Sequence, residues 1–210
     1  SSIVDVTQTQ TKPWQVQSKF NNSGQTSTGE EQLQLFLGWD NPLGLYDYSY
    51  FSYQSDLEKS LAELKSESMA WHWTVPVGYW NVSFDASYFE YQSLVEGAFQ
   101  TFLTSGTSAS QKLSVKKILF RDAVSKTRLS WDITRKRTEN YIEDVLLDTS
   151  TRTLAVSSLA ISHERYFQSG GFLLLDFGYA RGLNKFSSPD DANIVSALRH
   201  DTPKAQFDKY

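Results

Sequence analysis

Apolar residues recur at every second position along most of this chain, and that period constrains the fold more than any other feature. Trp14, Val16 and Phe20 form one run, and Leu33, Leu35, Leu37 and Trp39 a second. Met69, Trp71, Trp73 and Val75 form a third, and Trp80, Val82, Phe84, Ala86 and Tyr88 a fourth. Leu129, Trp131 and Ile133, then Leu173, Leu175, Phe177 and Tyr179, complete the set. The intervening positions are mostly polar: Gln, Lys, Ser, Thr, Asp, His, Asn or Gly. A strand turns successive side chains to opposite faces, so each run predicts a strand with one apolar and one polar face.

Turn signals separate the runs. Asn41-Pro42-Leu43-Gly44, Pro76-Val77-Gly78 and Ser169-Gly170-Gly171 are the clearest. Tight connections (Trp39 to Tyr46, Val75 to Trp80) alternate with long ones (Phe20 to Glu31, Gln54 to Glu67, Gln92 to Lys112). This pattern predicts an antiparallel up-and-down meander. We read nine strands, at 13–22, 31–40, 45–54, 67–76, 79–92, 110–121, 127–138, 150–163 and 171–182, with a tenth beginning near Ala205. Leu113 and Val115 are on one parity and Ile118 and Phe120 on the other; Leu154 and Val156 likewise give way to Leu159 and Ile161. A β-bulge or a misplaced boundary accounts for such a switch. Ser55 to Lys65 breaks the period: Leu57, Leu61 and Leu64 have helical spacing, with Asp56 as cap.

Composition narrows the class. The 210 residues contain no Cys, which excludes a disulfide scaffold, a thiolate metal site and a Cys nucleophile. A net charge of −4 argues against a nucleic-acid partner. Ser1 to Pro13 has no charged start followed by an apolar block, which leaves a cytoplasmic chain or a mature or cut segment open. No apolar run approaches the ~20 residues of a spanning helix, and the mean hydropathy is −0.43.

Two architectures put such strands to use. A soluble sandwich or ligand-binding barrel turns the apolar face inward. An outer-membrane barrel turns it to lipid and keeps a wet, polar lumen. The second is favoured by the aromatic residues at run ends (Trp14, Phe20, Trp39, Trp80, Tyr88, Trp131 and Tyr179), which fit the aromatic girdles of a membrane barrel. Trp71 and Trp73 share their parity. On this reading Gln15, Gln17, Lys19, His72, Asp85, Arg128, Asp132 and Asp176 face the lumen, by parity alone. Low mean hydropathy then reflects half-apolar strands averaged with polar loops.

The turn sequences carry a resemblance. Thr11-Lys12-Pro13-Trp14, Asn21-Asn22-Ser23-Gly24 and Thr28-Gly29 are followed by Asp40-Asn41-Pro42-Leu43-Gly44-Leu45-Tyr46-Asp47 and Val75-Pro76-Val77-Gly78-Tyr79-Trp80. Next come Ser105-Gly106-Thr107-Ser108, Arg121-Asp122, Arg137 with Asn140-Tyr141-Ile142, and Tyr179-Ala180-Arg181-Gly182-Leu183. This ordered series, over about residues 9 to 186, resembles the barrel of two-partner secretion transporters. That family exports large exoproteins (haemolysins, filamentous adhesins, contact-dependent growth-inhibition toxins) across the outer membrane. The resemblance implies a plug helix, two periplasmic POTRA domains and a barrel of about sixteen strands. It therefore places residues 1–11 at the end of a POTRA-like domain or linker and 12–210 in part of the barrel. It implies that these strands do not close alone, because unpaired backbone groups are not tolerated in lipid. The strand from Trp14 to Phe20 would pair with the barrel's last strand.

Nothing points to an enzyme, a cofactor or a metal. His72 reads as a polar wall residue, while His163 and His200 have no carboxylate or His at metal spacing. No Gly-x-Ser-x-Gly, phosphate loop or His-Glu-x-x-His pattern occurs. Arg135-Lys136-Arg137 reads as a solvated rim at a strand end, within reach of lipopolysaccharide phosphates. The resemblance names the partners as a secreted exoprotein with an amino-terminal secretion domain and the outer-membrane lipid. The competing readings are a passive porin or adhesive barrel, and a soluble β-protein.

Overall fold

The computed structural model describes residues 12–24, 30–57, 65–148, 150–186 and 207–210. Every regular element among them is a strand: β1 (Trp14–Asn21), β2 (Gln32–Asp40), β3 (Tyr48–Asp56), β4 (Lys65–Val77), β5 (Trp80–Glu96), β6 (Thr101–Arg121), β7 (Ser125–Ile142), β8 (Val145–Leu146), β9 (Arg152–Tyr166), β10 (Phe172–Leu183) and β11 (Asp208–Lys209). They form one antiparallel sheet, in sequence order except that β8 pairs only with β7. Among the described residues the sheet is open. β1 pairs only with β2, and β11 joins β10 through Ala180 and Arg181.

Among the described residues no second layer covers the sheet. The hydrophobic residues buried among those described are Val75 and Ala155. Trp14, Leu37, Trp39, Trp71, Trp80 and Trp131 are all exposed. A soluble sandwich needs its apolar face covered to gain from burial; no described residue covers this one.

The turns after β2, β4, β6 and β9 lie at one end of the sheet, and the first three have a local cause. In the β2–β3 turn, Asn41 and Gly44 take positive φ (55° and 73°), and the Asn41 Oδ1 accepts the Tyr46 amide at 2.7 Å. Gly78 takes φ 60° in the two-residue β4–β5 turn, where a Cβ would strain the backbone. In the β6–β7 turn the Asp122 carboxylate accepts the Val124 amide at 2.9 Å, the Ser125 amide at 2.6 Å and the Ser125 hydroxyl at 2.9 Å. These donors hold its carboxyl below the ordinary carboxylate value.

Several sequence expectations need correction. The span from Gln92 to Lys112 is no long loop: β5 runs to Glu96, β6 starts at Thr101, and a four-residue turn joins them, closed by the Gly97 amide on Gln100 O at 2.9 Å. Apolar residues there fall in adjacent pairs (Leu94-Val95, Phe102-Leu103) among Ser and Thr, so the stretch has no apolar period; the backbone ladder and pairs such as Ser93 with Thr104 (3.1 Å) hold it extended. Ser55 and Asp56 belong to β3 rather than to a helix, and the Asp56 carboxylate accepts the Ser66 amide of β4. The rest of that helical reading, 58–64, lies outside the described residues, as do 1–11 and 28–29 of the resemblance. The third strand starts at Tyr48 because Asp47 completes the turn. Arg135, Lys136 and Arg137 are not at a strand end, since β7 continues to Ile142. For the same reason Tyr88, Trp131 and Tyr179 lie inside their strands.

The two parity switches have different causes. In β6 a bulge lies between Ile118 and Phe120 and returns Phe120 to the face of Leu113. In β9 the register is unbroken, so Leu154 and Val156 truly face opposite to Leu159 and Ile161.

Candidate functional site

Side chains opposite one another in the register share a face. One chain of partners runs Trp14–Trp39–Ser49–Trp73–Phe84–Leu113–Ile133. Another runs Val16–Leu37–Phe51–Trp71–Ala86. With Phe20, Trp80, Tyr88, Trp131 and Tyr179 these make the apolar face. Three of its indole N–H groups find partners in the sheet or its turns: Trp71 donates to Ser49 Oγ at 2.9 Å, Trp131 to Ser157 Oγ at 3.0 Å, and Trp73 to Asp47 Oδ2 at 3.0 Å. A Trp in a dry setting needs such a partner.

Trp14, Phe20, Trp39 and Trp80 stand at or next to strand ends. Tyr88 and Tyr179 instead mark where the apolar face stops, because two residues on come Glu90 and Arg181.

Gln15, Gln17, Lys19, His72, Asp85, Arg128, Asp132 and Asp176 all lie on the opposite, polar face. One row crosses five strands as Tyr50–His72–Asp85–Lys112–Thr134. His72 Nδ1 lies 2.6 Å from Asp85 Oδ1, and the imidazole stacks on Tyr50 at 5.1 Å between centroids. Lys112 Nζ approaches Asp132 Oδ1 at 3.7 Å, and buried Ser114 donates its hydroxyl to the same carboxylate. Two rows below Asp132, Arg128 Nη2 meets Glu164 Oε1 at 3.0 Å, and Arg128, Ser162 and Asp176 follow one another across β7, β9 and β10. The wall is polar and of mixed sign, and Lys112 with Asp132 and Arg128 with Glu164 pair across neighbouring strands.

The sequence brought out the residues of this face but not their pairing. His72 and Asp85 are partners only because the two-residue turn at Gly78 and Tyr79 sets the β4–β5 register. Among the described residues no group of three His, Cys, Asp or Glu is placed to hold a metal. His163 Nδ1 contacts the Thr127 hydroxyl at 2.9 Å, and His200 lies outside the described residues.

Residue missed by sequence reading is Asp47. It is only 2% exposed. Its carboxylate gathers Trp73 Nε1 and the Leu43 and Leu45 amides (3.2 and 3.4 Å). Burial pushes its pKa up, but the Trp73 and amide hydrogen bonds outweigh that and hold the carboxyl below its ordinary value. Its place as the last residue of the Asn-x-x-Gly-Leu-x-Asp turn was the available signal.

Comparison with known proteins decides the family. The sequence model described as "Haemolysin secretion/activation protein ShlB/FhaC/HecB" matches residues 1–210. The chain belongs to the ShlB/FhaC/HecB family. Outer membrane transporter CdiB of Escherichia coli is 31% identical over 207 residues, 98% of this chain and 34% of the relative. Outer membrane transporter CdiB of Dickeya dadantii is 28% identical over 209 residues, 100% of this chain and 36% of the relative. Hemolysin transporter protein ShlB of Serratia marcescens is 28% identical over 171 residues, 81% of this chain and 30% of the relative. The solved structure of CdiB from Escherichia coli superimposes with a TM-score of 0.83 at 29% identity, over 96% of this chain and 37% of that one. The chain thus spans about a third of the length of the ShlB/FhaC/HecB relatives it matches.

Proposed function

We propose that this chain is part of an outer-membrane β-barrel that exports a large partner exoprotein from the periplasm to the cell surface. The observation that carries the reading is the open, two-faced sheet: an apolar face that no described residue covers, backed by a polar wall of mixed charge. Membership of a family whose relatives are named outer membrane transporters and hemolysin transporters supports it.

The apolar face meets lipid, with Trp14, Phe20, Trp39, Trp71, Trp73, Trp80, Tyr88, Trp131 and Tyr179 on it. Gln15, Gln17, Lys19, His72, Asp85, Arg128, Asp132 and Asp176, on the polar face, line the lumen. Residues 12–210 supply barrel strands and residues 1–11 the end of a periplasmic domain. The end with the β2–β3, β4–β5, β6–β7 and β9–β10 turns faces the periplasm and the other end faces outside. Further strands of the full protein pair with the free edge of β1, whose exposed N–H and C=O groups would each cost several kcal/mol in lipid.

Transport of this kind asks for no catalytic residue and no cofactor. The passenger crosses unfolded, and the wall keeps it hydrated without gripping it. The mixed charge separates this reading from a porin tuned by a ring of one sign. The partners are an exoprotein with an amino-terminal secretion domain, outer-membrane lipid and lipopolysaccharide. In cells lacking the full gene, the exoprotein accumulates in the periplasm; unchanged export refutes the assignment.

A further inference from the structure

A polar wedge interrupts the apolar face at the end that carries the β4–β5 and β6–β7 turns. The row next to the β4–β5 turn reads Trp80–Lys117–Leu129–Ile161–Phe177 from β5 to β10. The row beyond it reads Phe120–Thr127–His163–Leu175, and the next Ser125–Arg165–Leu173. Lys117, Thr127, His163, Ser125 and Arg165 therefore share the face of Leu113 and Trp131. Trp80 and Phe120 flank them on one side, and Leu173, Leu175 and Phe177 on the other. Lys116 alternates to the opposite face, between Asn81 and Ser130.

The wedge carries two cations, each held against a ring. Lys117 Nζ lies 4.5 Å from the centroid of a Trp80 ring, and Arg165 Cζ lies 5.5 Å from that of Phe167. Neither cation forms an ion pair among the described residues. The Asp122 carboxylate in the adjoining turn feels the charge of Arg165, but the Val124 and Ser125 amides and the Ser125 hydroxyl already hold it. An aromatic face steadies a cation without neutralising it. Between the two cations, His163 Nδ1 and the Thr127 hydroxyl are in contact at 2.9 Å.

Resting on the reading that this face meets lipid, we propose that the wedge binds the phosphodiester of an anionic glycerophospholipid in the periplasmic leaflet. Lys117 and Arg165 supply charge-assisted hydrogen bonds to phosphate oxygens, and the Thr127 hydroxyl and His163 supply neutral ones. The lysine stem lies along apolar surface and its ammonium reaches the interface, where headgroups lie. The acyl chains follow Leu129, Ile161 and Phe177 towards the middle of the bilayer. Two cations without a paired carboxylate favour a headgroup of net negative charge; a zwitterionic one brings its own cation against them. Free phosphate has the same oxygens but no chains to meet the flanking apolar residues.

The test uses the full-length protein in vesicles of phosphatidylcholine in which roughly one lipid in ten is phosphatidylglycerol with the same chains. A photoreactive phenylalanine replaces Phe120, beside the wedge, or in a control Leu113, farther along the same strand and face. Mass spectrometry identifies the adducts, and heat-modifiable gel mobility confirms a folded barrel in every variant. The phosphatidylglycerol share of adducts at position 120 should exceed that at 113 roughly tenfold. Adding Lys117→Gln with Arg165→Gln should return it to the share at 113, whereas Lys116→Gln and an excess of inorganic phosphate should leave it unchanged. Equal shares at 120 and 113, or an enrichment that survives the double substitution, overturn the site. An enrichment abolished by inorganic phosphate overturns the lipid as its ligand. Absence of lipid adducts at both positions overturns instead the facing of the sheet on which the proposal rests.

Discussion

The Asp47 carboxylate accepts the Trp73 indole N–H at 3.0 Å and thereby ties the β2–β3 turn to β4, a strand it does not join. The same carboxylate holds the Leu43 and Leu45 amides, so one buried group fixes the turn's shape and its neighbour's indole. Replacing Asp47 by Ala leaves three donors unanswered. The Asp47→Ala barrel should lose its heat-resistant gel mobility at a lower temperature than the unaltered protein, and Trp73→Phe should lower it less.

The pH dependence has a fixed sign. The folded pKa of Asp47 is depressed, so its stabilising effect is complete above the ordinary carboxylate value of about 4 and is lost as pH falls through the depressed folded value. Acid unfolding of Asp47→Asn should be less steep over that range than that of the unaltered barrel. Equal slopes would show that Asp47 is not among the groups that titrate on unfolding.

Gly106 carries a steric prediction. An added Cβ would lie 2.6 Å from Tyr91 Cε1, 2.7 Å from Asn140 Oδ1 and 2.9 Å from Glu139 O. The carbonyl is backbone and cannot step aside, so Gly106→Ala should destabilise by about 1–3 kcal/mol, the usual scale of overpacking. Adding Tyr91→Ala should recover only part of the loss, since the Glu139 carbonyl remains. Thermal unfolding in detergent reads both.

The two faces should respond oppositely to charge. Arg in place of Leu113 on the apolar face should cost about 2–4 kcal/mol in lipid. Arg in place of Ser158, opposite Asp132 on the polar face, should stay within about 0.5 kcal/mol. Folding titrations into bilayers compare them.

The mixed-sign wall predicts weak ion selectivity for the pore. Lys112 with Asp132 and Arg128 with Glu164 balance each other locally. Replacing Asp85 and Asp132 together by Asn uncovers Lys112 and should turn the pore towards anions. Reversal potentials in planar bilayers measure this.

The strand runs were legible wherever apolar side chains alternate, as from Trp80 to Tyr88, because the period is a direct image of the pleat. The upper halves of β5 and β6 were not, because Ser93, Thr104 and Ser105 carry no such contrast and hold their places through the backbone ladder. The β9 parity switch looked like a bulge; it is a change in what each face meets. The eight polar-face residues were legible by parity. Their pairings, His72 with Asp85 and Arg128 with Glu164, depend on register, which the turns set and spacing alone does not reveal.

The central claim is the facing of the sheet, apolar side to lipid and polar side to water. The chain has no Cys, so spin labels can be placed singly on Cys at Leu37, Leu113 and Leu159, and on Cys at Gln17, Gln34 and Ser158. In lipid-reconstituted full-length protein, the first three should be relaxed by oxygen, which concentrates in lipid, and the second three by a water-soluble nickel chelate. The reverse pattern, or nickel access at all six, would contradict the account.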